Sequence, residues 1–287
     1  MFKPQKKPKG FGENHEGIEL NNFNFNLKLE IANKKRINKK FYEAIEIYKK
    51  IILIKPNLGE AHYNLGLSYK SINSLGKAIK SFKKVVQIEP QNINTYLLLG
   101  NIYSELSDFK LAYFYYKKGL KLNPNEFLIL NGIGNVFHKQ GRYKEATKYY
   151  KSALESVPNQ AGILNNLGNS LVALSDFDEA IKSYCKAISE DQLIQEFHLN
   201  LAFAYFYNDN YEDGWKEYEN RTKYKPFKEL QSWEGQPLEP HQKLLIYSEQ
   251  GLGDTVQFIR YAIYLKTKGI NFKLCIQEKL YSFVENT

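Results

Sequence analysis

Pro124 to Pro158 reads PNEFLILNGIGNVFHKQGRYKEATKYYKSALESVP, and the 34-residue step between its two prolines decides the fold. The step continues in both directions. Pro56, Pro90, Pro124 and Pro158 stand at equal intervals, the next slot is Gln192, and the one after it is Pro226. A period of this length marks an array of stacked supersecondary units.

Further columns fall into register at the same step. Small residues recur at Ala44, Ala78, Ala112, Ala146, Ala180 and Gly214, and aromatic ones at Tyr48, Phe82, Tyr116, Tyr150, Tyr184 and Tyr218. A second small column runs Ala32, Gly66, Gly100, Gly134, Gly168 and Ala202. One residue ahead of it stand Ile31, Leu65, Leu99, Ile133, Leu167 and Leu201. Each unit therefore reads as two amphipathic helices of about 14 residues joined by a short turn. The small columns let the two helix backbones approach, and the aromatic fills the gap above them. Proline ends the second helix and, as Pro56-Asn57, Pro124-Asn125 and Pro158-Asn159, turns the chain into the next unit. One unit alone leaves an apolar face wet, so stability comes from stacking.

The pattern resembles the tetratricopeptide repeat over about 200 of the 287 residues. The resemblance implies an all-α solenoid, a right-handed superhelix of helix-turn-helix repeats, with six repeats in residues 25–226 after a basic, disordered segment at 1–24. The first and last repeats are degenerate; Lys35 stands where later units carry Tyr69, Tyr103, Phe137, Leu171 and Tyr205.

In such a solenoid the first helix of each unit lines an inner groove, and the groove positions here are rich in amides. Asn64, Asn166 and Asn200 share one column, and Asn101, Asn135 and Asn169 share another three residues further on, a neighbouring stripe of the helix. With Asn165 they form a candidate peptide-binding groove, since an amide offers both a donor and an acceptor to an extended backbone. The stretch Asn165-Asn166-Leu167-Gly168-Asn169 resembles repeats of the eukaryotic O-linked N-acetylglucosamine transferases, which implies an asparagine ladder gripping a substrate polypeptide. The alternative is that asparagine is merely tolerated on a solvated helix face. His138 falls near the groove wall without a catalytic assignment, and Cys185 reads as a small buried filler.

The period breaks after Pro226. Residues 227–242 read as a linker with Trp233, Gly235, Pro237 and Pro240. A buried parallel strand is expected at Lys243 to Tyr247, a helix from Val256 to Lys268 closed by Gly269, and a second strand at Phe272 to Ile276, with a further helix starting at Lys279. Residues 243–287 thus form a short, incomplete Rossmann-like βαβ segment of an α/β domain. The series Gly214-Trp215, Trp233-x-Gly235-x-Pro237-Leu238, Glu249-Gln250-Gly251-Leu252-Gly253-Asp254 and Gln257-Phe258-x-Arg260-Tyr261 resembles the junction between such repeats and a heptosyltransferase-like glycosyltransferase domain of the GT-B kind in bacterial proteins. That resemblance implies a substrate loop of Gln250, Gly251, Gly253, Asp254 and Thr255, with Asp254 as the catalytic base for an acceptor hydroxyl. Equally, Asp254 and Thr255 suit a helix N-terminus. Only two strands are legible, so the donor half is expected to be missing and the chain to lack a complete catalytic site. The primary expectation is accordingly a protein-interaction scaffold without a cofactor. The alternative is a protein glycosyltransferase, truncated or completed by another chain, which would then use a nucleotide sugar.

Composition narrows the partners. The net charge of +9 invites nucleic acid, but only Arg36, Arg142, Arg221 and Arg260 are arginines, the side chain suited to bidentate phosphate contacts. The remaining basic residues are lysines spread over the helices, which marks solvated faces. A protein or peptide partner is favoured over nucleic acid. Cys185 and Cys275 lie in unrelated contexts without metal-ligand spacing, so no metal site is indicated, and a reducing, cytoplasmic setting fits. No run of about 18 apolar residues suggests a membrane span.

Overall fold

Helix pairs form wherever the 34-residue columns require them. The first repeat holds α1 (Phe25–Ile37) and α2 (Phe41–Ile54), the second α3 (Gly59–Ser71) and α4 (Leu75–Ile88), and the third α5 (Ile93–Glu105) and α6 (Phe109–Leu122). The fourth holds α7 (Phe127–Lys139) and α8 (Tyr143–Ser156), the fifth α9 (Ala161–Ala173) and α10 (Phe177–Glu190), and the sixth α11 (Gln195–Tyr207) and α12 (Tyr211–Tyr218). This computed structural model describes residues 25–220, 230, 233, 236–239, 241–248 and 252–281. The segment 1–24 and the proline slot at Pro226 lie outside the described residues. The chain divides into two compact units, residues 1–219 and 220–287.

The columns have direct physical counterparts. Ala44, Ala78, Ala112, Ala146 and Ala180 are fully buried, as are Tyr48, Phe82, Tyr116, Tyr150 and Tyr184 to within 1%. The approach between small column and ring is tight: a Cβ added at Gly134 would lie 2.4 Å from Cε1 of Tyr150. Only a residue without a side chain lets ring and helix backbone close to that distance. The second helices of the first five repeats stop two residues before their slots, at Ile54, Ile88, Leu122, Ser156 and Glu190, and that of the sixth stops earlier, at Tyr218. Where the first repeat departs from the pattern, Lys35 pairs with Glu43 of α2.

A further column governs the turn inside each repeat. Lys39, Asn73, Ser107, Gly141, Ser175 and Asp209, again 34 apart, all have positive φ between 56° and 73°. The residue after each donates its N–H back to the first helix, as in Asp108 N to Tyr103 O at 2.8 Å and Asp176 N to Leu171 O at 2.9 Å. This left-handed residue and six-residue bond satisfy orphan carbonyls at the end of the first helix and reverse the chain.

In the second unit, β1 (Leu244–Tyr247) and β2 (Phe272–Cys275) pair in parallel, with Leu244 opposite Phe272 and Tyr247 opposite Cys275. Between them α13 (Leu252–Thr267) starts four residues before the expected Val256, so that Gly253, Asp254 and Thr255 fall within its first turn rather than in a loop. Gly269 follows with φ +72°. Glu278–Leu280 forms a 3-10 turn and Tyr281 is helical, while the rest of the helix expected from Lys279 lies outside the described residues. A two-stranded sheet with one crossover helix is common to many α/β folds and is too small to define a Rossmann-like domain.

Candidate functional site

The asparagines of the first helices are tied to the aromatic column by hydrogen bonds that repeat along the stack. Tyr48 Oη donates to Asn33 Oδ1 at 2.7 Å, Tyr116 to Asn101 at 2.6 Å, Tyr150 to Asn135 at 2.7 Å, and Tyr184 to Asn169 at 2.6 Å. In each case the partner stands 15 residues upstream. A tyrosine ring buried in the core needs an acceptor for its hydroxyl, and the amide carbonyl supplies it. In the second repeat the ring is Phe82, which has no hydroxyl, and the position 15 upstream is Leu67; the sixth repeat departs from the pattern, with Phe203 standing 15 residues before Tyr218 and meeting its ring edge-on at 6.2 Å. Burial pushes the Tyr116, Tyr150 and Tyr184 hydroxyls well above the ordinary tyrosine range, so they stay protonated donors.

This pairing orients the amides. With Oδ1 turned to the tyrosine, Nδ2 of Asn101, Asn135 and Asn169 points away from the core, and all three residues line a cavity of about 330 Å³. The amide of Asn166 has the opposite sense. Its Nδ2 donates inward to Asn131 Oδ1 at 3.1 Å and Asn135 Oδ1 at 3.3 Å, leaving its Oδ1 as the acceptor turned outward. The site therefore offers amide donors in a row with one amide acceptor beside them, the two needs of an extended peptide backbone.

The cavity lies across three first helices, with Ser104 and Glu105 on α5, His138 and Lys139 on α7, and Asn166 and Asn169 on α9. Gly132 helps to open it. Where Asn64 and Asn166 sit in this column, their amides reach the preceding repeat, whereas at Gly132 an added Cβ would already lie 2.7 Å from Cζ of Tyr116. Asn101 therefore has no amide laid over it. His138 Nδ1 lies 2.8 Å from Ser170 Oγ and its ring meets Tyr143 edge-on at 5.2 Å. Burial lowers its pKa, which favours the neutral ring. Glu105 and Lys139 occupy equivalent positions one repeat apart and put one charge of each sign at the cavity.

Of the asparagines singled out in the sequence, Asn101, Asn135, Asn166 and Asn169 come together here. Asn64 and Asn165 are buried, at 7% and 4% exposure, the first donating to Asn33 Oδ1 and the second accepting from Asn200 Nδ2 at 2.9 Å. Asn200 is half-buried. Cys185, expected as a buried filler, is exposed on α10 because its column faces outward in every repeat, being Lys83, Lys117 and Lys151 elsewhere. Gln250 and Gly251 lie outside the described residues, as does the side chain of Asp254, whose backbone belongs to α13. Thr255, on the same turn, is half-buried. Sequence reasoning passed over Ser104, Glu105, Lys139 and the tyrosine hydroxyls. The co-variation of Tyr with Asn and Phe with Leu, 15 residues apart over the first five repeats, was the signal available for the last of these. Among the described residues no cluster of His, Cys, Asp and Glu could hold a metal ion, and no helix is long and apolar enough to cross a membrane.

Comparison with known proteins bears on the repeats. Four family models, each described as a tetratricopeptide repeat, match residues 59–92, 93–126, 125–189 and 165–224. No curated protein matches the sequence significantly. Among solved structures, the MamA protein is similar at 25% identity and a TM-score of 0.54, over 58% of this chain and 92% of that one. The hetero-tetramer Cut9-Hcn1 of the APC/C is similar at 20% identity and a TM-score of 0.58, over 68% of this chain and 39% of that one. YrrB, described as a repeat protein of this kind with an unusual peptide-binding site, is similar at 21% identity and a TM-score of 0.50, over 60% of this chain and 89% of that one. The matching models together span residues 59–224, more than half of the chain, and the protein belongs to the tetratricopeptide-repeat family.

Proposed function

We propose that the protein is an interaction scaffold that holds an extended segment of a partner protein against the first helices of its repeats. The observation that carries this is the row of Asn101, Asn135 and Asn169, whose carbonyls are held by tyrosines so that their NH2 groups line one cavity. Donors fixed in direction by the core cost little ordering on binding. Backbone carbonyls recur along any extended peptide, so such a row grips main chain, while Glu105, Lys139 and His138 discriminate among side chains. The peptide-binding site ascribed to YrrB supports a groove of this class. Two free thiols, Cys185 and Cys275, go with a cytoplasmic placement.

Selection of peptides from a displayed random library on the intact chain, followed by fluorescence anisotropy, tests the proposal. Replacing Asn135→Asp and Asn169→Asp keeps the acceptor for each tyrosine but removes the NH2 donors. Affinity should fall at least tenfold with helicity unchanged. Equal affinity in native and double-variant chains would refute the amide row.

A second reading is compatible with the parallel β1-α13-β2 arrangement after the repeats, which many α/β folds share. It makes the solenoid the acceptor-selecting arm of a glycosyltransferase, with Asp254 as base and the nucleotide-sugar half supplied elsewhere. Since this reading places the nucleotide-sugar half on another polypeptide, proteins that co-purify with the chain separate the two. Transfer from a nucleotide sugar to a captured peptide by such a complex supports the enzyme, and peptide capture without transfer supports the scaffold.

A further inference from the structure

Side chains 31 residues apart meet across neighbouring first helices and build the floor of the groove. Asn64 Nδ2 donates to Asn33 Oδ1 at 3.0 Å, and Asn166 Nδ2 to Asn135 Oδ1 at 3.3 Å. Between α3 and α5 the same two positions have changed their chemistry. Leu98 stands 31 residues after Leu67, and both are half-buried against the core. Leu128, one helical turn before Gly132 on the same face of α7, adds an apolar side chain that is 43% exposed. The floor thus passes from apolar at Leu67 and Leu98 to amide from Asn101 onward, all within the interior of the stack.

The charges of the cavity follow the same direction. Glu105 at the end of α5 and Lys139 at the end of α7 are both exposed and both line the cavity. Neither side chain has an ion-pair or hydrogen-bond partner among the described residues. By contrast, Glu46, Glu145 and Glu179 each hold a basic residue three positions away on their own helix or its cap. The column that Glu105 and Lys139 share reads Ile37, Ser71, Ala173 and Tyr207 in the other repeats, so packing of the repeat does not demand a charge there.

Neighbouring helices pack about 8–10 Å apart. A polyproline II chain advances about 9 Å in each three-residue turn and presents every third side chain to one side. One turn of such a segment therefore spans one repeat. Resting on the reading of the solenoid as a peptide scaffold, we infer that the captured segment carries three side chains at three-residue intervals: an aliphatic one on Leu67 and Leu98, a basic one at Glu105 and an acidic one at Lys139. The amide row holds the main chain, and these three contacts choose among extended segments. A segment with its two charges exchanged meets like charge at both places, and that repulsion rejects it.

Fluorescence anisotropy of the full chain with labelled synthetic peptides tests this. The matched probe holds leucine, lysine and glutamate three residues apart in a background of alanine and proline. A swapped probe exchanges the lysine and the glutamate, a third replaces the leucine by threonine, and each is made in both chain directions. In the direction that binds, the native chain should prefer the matched probe to the swapped one about tenfold. Glu105→Lys with Lys139→Glu should invert that preference. Leu98→Asn copies Asn64 and Asn166 in its own column, and it should abolish the preference for leucine over threonine while keeping the preference for charge order. Equal affinity for matched and swapped probes, or a preference that the charge-reversed chain retains, would overturn the inference and leave main-chain capture standing. So would failure of every probe while peptides selected from the random library still bind. No capture of any peptide would strike down the scaffold reading together with it. Circular dichroism of both variants confirms that the helices are intact.

Discussion

The six-repeat solenoid and the β1-α13-β2 unit are both rich in apolar residues, yet the described residues of the first are buried far more than those of the second. In the solenoid the rings from Tyr48 to Tyr184 are sealed between neighbouring helices. In the C-terminal unit β1 is half-buried throughout, and Tyr261, Ile263 and Tyr264 of α13 are 53%, 45% and 57% exposed. Ala262 is the one buried apolar residue among its described residues. Each repeat finds its burial partners within about one repeat length along the chain, and every added repeat supplies the same partners again. Two strands and a helix have no such supply, because a parallel sheet needs further strands and a second helical layer to cover it. Local recurrence, more than apolar content, separates a self-sufficient region from a dependent one.

The largest test of that difference is alkaline pH. Burial raises the Tyr48 hydroxyl from 10.0 to about 12, and Tyr116, Tyr150 and Tyr184 higher still. A tyrosine whose pKa is raised by folding contributes stability that is complete below the unfolded value and is lost as pH rises through the folded one. The solenoid should therefore lose stability progressively above about pH 10 and unfold by about pH 12 or soon after. Urea midpoints measured across this range check it, and a flat profile would break the account of the core. Next in size is Gly134→Val, which drives a side chain into the Tyr150 ring and should cost the solenoid about 3 kcal/mol in urea unfolding.

A smaller effect probes the tyrosine-asparagine pair. Tyr184→Phe removes the donor to Asn169 and should cost about 1 kcal/mol. Adding Asn169→Leu copies the Phe82 and Leu67 pair of the second repeat and should recover most of the loss. Non-additivity of the two changes is the measurement that matters. Smallest is Ser175→Gly. It relieves a left-handed residue at φ 60°, a gain partly offset by the added freedom of the unfolded chain, and should stabilise by about 0.5 kcal/mol. The corresponding change has no target at Gly269, where the second unit already uses glycine.

These residues also show what the sequence could and could not disclose. The helix pairs were legible because packing repeats the same side-chain size at the same slot, as in Gly66, Gly100, Gly134 and Gly168. The left-handed turn repeats just as strictly, yet Lys39, Asn73, Ser107, Gly141, Ser175 and Asp209 share no chemistry, so a backbone period passed without a side-chain signal. The groove asparagines were legible as a helix face. That Asn64 and Asn165 are buried was not, because a face does not reveal which neighbour covers it. In the C-terminal unit both strands were placed to within a residue, while the start of α13 lay four residues early, where Gly253, Asp254 and Thr255 suit a turn and a first helical turn alike.

The most direct test of the central claim follows the side-chain amide resonances of the chain by NMR while a peptide selected against it is added. The account predicts that the Nδ2 protons of Asn101, Asn135 and Asn169 shift together and saturate at one affinity, while those of the buried Asn64 stay in place. Saturable binding that leaves all three resonances unmoved would contradict it.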